Sequence, residues 1–235
     1  MVITGELTRD PLLSLPPLEN GDHLSRDEFE RRYAAMPHLR KAELVEGVVY
    51  MASPLRMRSH GEPHGDLTTW LGVYKASTPG IVLGIEPTVR LDPDNEPQPD
   101  VVLFVPGRQA SINAEDYIEG SPELVVEVAA SSAALDLHDK KRAYHRNGVQ
   151  DYIVWRTLEG QLDWFQWESQ GYVAQVPDEQ GILRSRAFPG LWLALPALLA
   201  GELGRVLSVL QEGLKTPEHA TWVEELQRLG PSSPA

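Results

Sequence analysis

Between Glu96 and Trp155 the chain alternates short apolar runs with carboxylates in a way that leaves few folds open. EPQPDVVLF (96–104) and PELVVEVAASS (122–132) each carry one acid at a strand edge, Asp100 and Glu127. DLHDKKRAYHRNGVQDYIVW (136–155) then supplies a polar helix with Lys140 and Lys141, followed by another apolar run. Strand, strand, helix, strand in that order calls for an α/β sandwich with a mixed sheet. The near-continuous apolar run 123–129 belongs at the centre of that sheet.

Antiparallel pairing of 99–105 with 123–129 sets the start of one strand beside the end of the other. Asp100 and Glu127 then meet at one sheet edge. Pro99 suits a strand start, because it cannot donate to the ladder. Parity agrees: Asp100, Val102 and Phe104 share a face, as do Val125, Glu127 and Ala129. Two converging carboxylates in an apolar wall need a cation between them. Mg²⁺ (or Mn²⁺) suits two carboxylates, water and phosphate, and it activates water for attack on a phosphoryl group. On the following helix, Leu137 and Tyr144 define the inward stripe, and both lysines border it. A lysine there can orient the attacking water or stabilise charge on the phosphate. The pattern reads as a metal-dependent nuclease-type site. The plainer reading pairs Lys140 with Asp136 on a solvated helix face. Pro-Asp also recurs at Pro177-Asp178, so that dipeptide alone means little.

Elsewhere, residues 1–23 read as an extended arm. A helix is expected over 24–36, with Ser25 and Glu28 forming a capping box. A hairpin turning at Glu46-Gly47 follows over 42–53, carrying Glu43. The next helix, 59–77, has Pro63 in its first turn. His60 and His64 stand at its mouth. His60 is read as a polar helix-entry residue; His64, Glu43 and Glu86 are candidates to approach the metal. Glu86 lies in a strand over 81–91 that Pro87 interrupts, and 106–121 is read as a long loop. Helix 134–147 ends at Asn147-Gly148. A β-meander (162–168, 171–177, 182–188) and terminal helices after Pro196 complete the chain. Trp155, Trp164, Phe165, Trp167 and Trp192 read as core. Ser131-Ser132 lacks a His–Asp partner pattern, so no serine hydrolase is proposed. The organisation is an arm (1–23), a main domain (24–195) and a helical appendix (196–235), whose apolar faces suit packing on the domain or a homodimer contact.

The 235 residues include no cysteine, which removes disulfides, thiolate metal sites and cysteine nucleophiles. The first 22 residues lack the pattern of a secretory signal, and no apolar run approaches ~18 residues, so a cytoplasmic protein without a membrane span is expected. The net charge of −13 weighs against a broad positive field for nucleic acid. It leaves room for a local basic groove.

ELVEG (43–47), MASP (51–54), PHG (63–65), QPDVVLF, PELVVEVAASS and D136…K140…Y144…GV(148–149)…DYIVW, in that order, resemble the Uma2 family of restriction-endonuclease-like proteins, over about residues 24–195. The resemblance implies the PD-(D/E)XK nuclease superfamily: a restriction-endonuclease-like mixed β-sheet flanked by helices, a divalent metal, and phosphodiester hydrolysis in DNA. Asp100 matches the motif's Asp and Glu127 its second acid. The lysine expected two residues later is replaced by Ala129. In Uma2-like sequences a helix lysine four before a tyrosine substitutes, which here is Lys140. Glu43 matches the acid of the family's early hairpin. The alternatives are a non-catalytic binding or regulatory protein that keeps the nuclease fold, or a phosphodiesterase on a smaller substrate.

Overall fold

The computed structural model describes residues 15–51 and 54–229. Most of the expected arm, residues 52–53 of the hairpin and the last six residues lie outside that range. Among these residues thirteen strands, β1 (Ala42–Val45), β2 (Val48–Met51), β3 (Val82–Ile85), β4 (Val89–Arg90), β5 (Val101–Phe104), β6 (Ala110–Ile112), β7 (Ile118–Gly120), β8 (Leu124–Ala129), β9 (Asp151–Arg156), β10 (Gln161–Gln166), β11 (Val173–Ala174), β12 (Ile182–Arg184) and β13 (Trp192–Ala194), are packed with seven helices. The helices are α1 (Arg26–Ala34), α2 (Glu62–Ser77), α3 (Ala133–Leu135), α4 (Lys141–Arg146), α5 (Leu195–Leu199), α6 (Leu203–Gly213) and α7 (Pro217–Leu229). A π-helical turn, Met57–Gly61, leads into α2, and another, Asp136–Lys140, joins α3 to α4.

The central sheet has the order β11-β10-β9-β8-β5-β3. It is mixed: β8 runs parallel to β9, while β5 is antiparallel to β8 and to β3. Every residue of β5 and β8 is buried, which is why both read as unbroken apolar runs. One face carries Val101, Leu103, Val126, Val128 and Ile153 against Leu67, Trp70, Leu71 and Tyr74 of α2. Val206, Val209 and Leu210 of α6 and Trp222 and Leu226 of α7 join that same core, so the C-terminal helices pack on the domain. The other face sets Val102, Phe104, Val125 and Val154 against Tyr144 of α4 and against Val89, Ala110 and Ile118. The last three come from a small sheet of order β4-β7-β6. The β1–β2 hairpin packs with Phe29 of α1 in a third cluster.

Local chemistry explains most boundaries. Glu46 and Gly47 both have positive φ (53° and 73°), the geometry of a tight hairpin turn. Gly148 (φ 79°) closes α4, with the Val149 N–H reaching back to Tyr144 O at 3.1 Å.

Three expectations need correction. The 106–121 stretch holds β6 and β7 rather than a loop. The Ser25–Glu28 capping box is absent: Ser25 makes no side-chain cap, and Glu28 instead binds Arg31 and Arg32. The expected meander also divides. Strands β10 and β11 extend the central sheet, whereas β12 pairs with β13 in a separate ribbon. Long polar side chains found better partners than the backbone in the second case. In the third, the ribbon buries Leu183 and Leu193 in the main core instead of lengthening the sheet.

Candidate active site

The acids gather where β8 ends and β5 begins. Val101 pairs with Val126, so Asp100 stands opposite Glu127 one step further along the ladder. This is the juxtaposition expected from antiparallel pairing, with one difference. The Asp100 carboxylate turns along the end of the sheet, where Oδ2 accepts the Val128 N–H at 2.6 Å. It takes the place of a ladder carbonyl, so pairing stops there. The Asp100 carbonyl in turn accepts the Glu86 N–H at 2.9 Å and lies 3.2 Å from His64 Nε2. Three elements therefore fix this one residue. Burial works against its charge, but His60 and the Val128 N–H outweigh it and hold the Asp100 carboxyl below the usual range.

Glu127 faces the helix side. Its Oε1 accepts a hydrogen bond from Tyr144 OH at 2.9 Å and from Lys140 Nζ at 3.1 Å. Lys140 Nζ also lies 2.9 Å from Glu43 Oε1 and 3.6 Å from Asp136 Oδ1. Glu43 Oε1 accepts the Gln98 N–H at 2.7 Å, and Asp136 Oδ2 accepts Ser132 Oγ at 2.6 Å. Lys140 is only 3% exposed and Asp136 1%. The lysine does pair with Asp136, as the plainer reading held, but inside the protein and not on a solvated face. Lys141 goes elsewhere, with Nζ 3.5 Å from the centre of the Phe165 ring. The inward stripe is thus polar, Asp136, Lys140 and Tyr144, rather than one running through Leu137. In the sequence Asp136 stands out as a rival partner for the lysine and as the first residue of the D136…K140…Y144 run, with no site role of its own. The i, i+4, i+8 spacing of Asp136, Lys140 and Tyr144 was the signal that placed it here.

The electrostatics of this cluster are unbalanced. Glu43, Glu127, Asp136 and the adjacent Asp100 face one lysine. Burial pushes the Glu127 carboxyl well up, Lys140 pulls it down, and the neighbouring acids push it up again. Asp136 is raised by burial in the same way. Burial also disfavours the Lys140 charge, yet Glu127, Glu43 and Asp136 outweigh it and hold the ammonium well above its ordinary value. Asp136 Oδ1 has no hydrogen-bond donor among the described residues. A donor set of carboxylate oxygens with surplus negative charge is what a hard divalent cation requires.

His60, His64 and Glu86 form a second group beside Asp100. One potential ligand atom from each lies within 4.8 Å of the others. His60 is buried, with Nδ1 3.0 Å from Val128 O and Nε2 3.4 Å from Asp100 Oδ1. It is more than a helix-entry residue. The Asp100 carboxylate beside it holds its pKa above the ordinary value despite burial. Two surface clefts, lined in part by Asp92 and Arg146 and by Arg108 and Trp222, include none of the predicted site residues.

A family model described as "Uma2: Putative restriction endonuclease" matches residues 26–196, most of the chain. No curated protein matches. Among solved structures, the crystal structure of a "putative nuclease belonging to DUF820" from Anabaena variabilis ATCC 29413 matches with a TM-score of 0.53 and 14% sequence identity. The match covers 80% of this chain and 99% of that one, and at such identity it speaks for a shared fold.

Proposed function

The chain belongs to the Uma2 family, and from that membership we propose that it is a Mg²⁺- or Mn²⁺-dependent nuclease that hydrolyses phosphodiester bonds in DNA. The observation that carries this reading is the burial of Lys140 against Glu127, which stands across the ladder from Asp100. A lysine beside paired acids on adjacent strands is the arrangement that phosphodiester hydrolysis needs, although this lysine comes from the helix and not from position 129.

In this reading Asp100 and Glu127 hold the ion. When bound, the ion supplies a water of lowered pKa and neutralises charge on the phosphate. Lys140 orients that water or the phosphate through its remaining N–H. Glu43 holds the lysine in place, and Tyr144 aims the Glu127 carboxylate. His64 and Glu86 support Asp100 through its backbone carbonyl.

The acidic surface is answered locally. Arg40, Arg56 and Arg58 are exposed and Lys41 is half-buried. Arg40 and Lys41 lead directly into β1, which bears Glu43; Arg56 precedes the turn that bears His60, and Arg58 lies within it. Lys41 is close enough for its charge to act on both His60 and Asp100. No ion pair ties up these four cations among the described residues. They offer a basic rim for a phosphate backbone despite the overall −13. We place the nuclease unit at 24–195 with 196–235 appended. We expect a cytoplasmic protein and, for cutting both strands of a duplex, a homodimer. No helix among the described residues is long and apolar enough to cross a membrane.

The test is cleavage of plasmid DNA with Mg²⁺ or Mn²⁺ by the wild type, Asp100→Ala and Lys140→Ala. Equal residual cleavage in all three sinks the assignment. A second reading, a non-catalytic binding protein on the nuclease fold, draws on Ala129 and on the burial that pushes the Glu127 carboxyl up. Calorimetric titration separates the two, because that reading requires no Asp100-dependent metal affinity.

A further inference from the structure

We propose that His60, His64 and Glu86, with Asp100 Oδ1 alongside, form a second cation site that takes a divalent transition-metal ion such as Co²⁺, Zn²⁺ or Mn²⁺. It differs from the oxygen site proposed at Asp100 and Glu127 in its nitrogen ligands, although both draw on Asp100, and it stands whether or not the protein cleaves DNA.

Three features carry the assignment. The first is the way both imidazoles are held. His60 Nδ1 lies 3.0 Å from the Val128 carbonyl and His64 Nε2 3.2 Å from the Asp100 carbonyl. A carbonyl accepts only a proton, so each ring donates N–H there, and in the neutral ring the other nitrogen, His60 Nε2 or His64 Nδ1, is the one left with a lone pair for a metal. This backbone fixing of the far ring nitrogen is how metal-binding histidines are oriented.

The second is an unsatisfied atom. His60 is 5% exposed, and its Nε2 meets no well-aligned hydrogen-bond partner among the described residues. It faces Asp100 Oδ1 at 3.4 Å. A ring nitrogen and a carboxylate oxygen so placed share a cation: without metal a proton serves, which is why Asp100 raises the His60 pKa, and a metal ion can take the proton's place. Two ligands on one ion with bonds of about 2.1 Å stand roughly 3.0–3.5 Å apart, and this pair falls in that range.

The third is backbone conformation. Glu86 has φ of 50°, unusual for a residue with a side chain. Its N–H is tied to Asp100 O at 2.9 Å, and Pro87 follows it. The bend brings its exposed carboxylate to within 4.8 Å of the two histidines instead of along the sheet edge. The π-helical turn at 57–61 does the same for His60, setting the rings 5.7 Å apart, centre to centre.

Two imidazole nitrogens with carboxylates favour borderline transition ions over Mg²⁺, which prefers oxygen ligands and water. The test uses the full-length protein, stripped of metal and supplied with excess MgCl₂ to occupy oxygen sites. CoCl₂ is titrated while the visible ligand-field absorption is followed, and ZnCl₂ is titrated by calorimetry. The wild type is expected to bind one equivalent with a nitrogen-ligated Co²⁺ spectrum. His64→Ala and Glu86→Gln, at accessible positions, are expected to weaken binding by at least about tenfold, the least that loss of even a supporting group costs such sites. Unchanged isotherms and spectra in both variants overturn the inference. Mg²⁺-supported plasmid cleavage without a Co²⁺ site overturns this proposal alone. A Co²⁺ site in a protein that cleaves nothing supports it and counts against the nuclease reading.

Discussion

Lys140 Nζ lies 3.1 Å from Glu127 Oε1, although one residue is on a helix and the other on the central strand. Both are almost wholly buried, and Glu43 and Asp136 crowd the same ammonium. Removing it leaves three carboxylates without a counter-charge. Lys140→Met is therefore expected to cost about 3–5 kcal/mol of stability near neutral pH. The deficit should shrink as pH falls. Carboxyls whose folded pKa lies above the unfolded value bind protons in the folded state first, so stability rises as pH drops through that window. Urea unfolding of wild type and variant at pH 5 and pH 8 checks both statements.

Tyr144→Phe removes one of the two hydrogen bonds to Glu127 Oε1. A charged carboxylate loses a donor, so its pKa moves further up. If Glu127 must be ionised for cleavage, the acid limb of the pH–rate profile shifts to higher pH in this variant. A profile that drops uniformly without shifting would assign Tyr144 to packing alone.

Arg56 and Arg58 flank the site on an exposed turn. Arg56→Glu/Arg58→Glu is expected to weaken DNA binding and flatten its salt dependence. The slope of log K against log salt should fall by about 0.9 for each phosphate that the variant no longer neutralises. Stability should be almost untouched, since both side chains are exposed. Fluorescence anisotropy between low and moderate salt makes the comparison.

Glu96 is buried next to Glu30, 3.8 Å from Arg90 Nε. Burial first, and the Glu30 carboxylate second, push its pKa up to about 9. The folded state therefore keeps a proton that the unfolded chain gives up near pH 4.5. Its contribution is present at low pH and is lost as pH rises toward about 9. Glu96→Gln, which stays neutral, is expected to flatten the decline of melting temperature between about pH 6 and 9.

Ending the chain at Gly201 would strip Val206, Val209, Leu210, Trp222 and Leu226 from the core shared with α2. Each large apolar side chain buried contributes about 1.5–3 kcal/mol, so the sum rivals the whole stability of a domain. Such a truncation is expected to be insoluble or molten, judged by near-ultraviolet circular dichroism.

Much of this was legible in the residues. The apolar runs at 101–104 and 124–129 declared central strands, and Pro99 with Asp100 marked where one of them starts. Glu46-Gly47 and Asn147-Gly148 announced their turns through backbone demands that few residues meet. What stayed hidden depends on distant partners. Strands β6 and β7 are three residues each, with Ile112 and Tyr117 exposed, so no alternation betrays them. Glu28 looked like a cap because the arginine pairing that claims it has the same local spacing. Lys140 and Lys141 are neighbours in sequence, and only the sheet beneath the helix decides which one turns inward. His60 looked like a polar helix-entry residue because Val128 and Asp100, which face it, lie 68 and 40 positions later.

Both helices that border the site carry a π-helical turn there, at 57–61 and 136–140. Such a turn holds one residue more than a regular helix would use. Deleting a single residue from it would leave the core pattern on either side readable. Only the residues inside the turn would change direction, by up to about 100°. A one-residue deletion near His138 would keep the sheet and carry the lysine off Glu127. Chemistry and fold in this chain can thus be uncoupled by a change in length alone, without altering any side chain in the site.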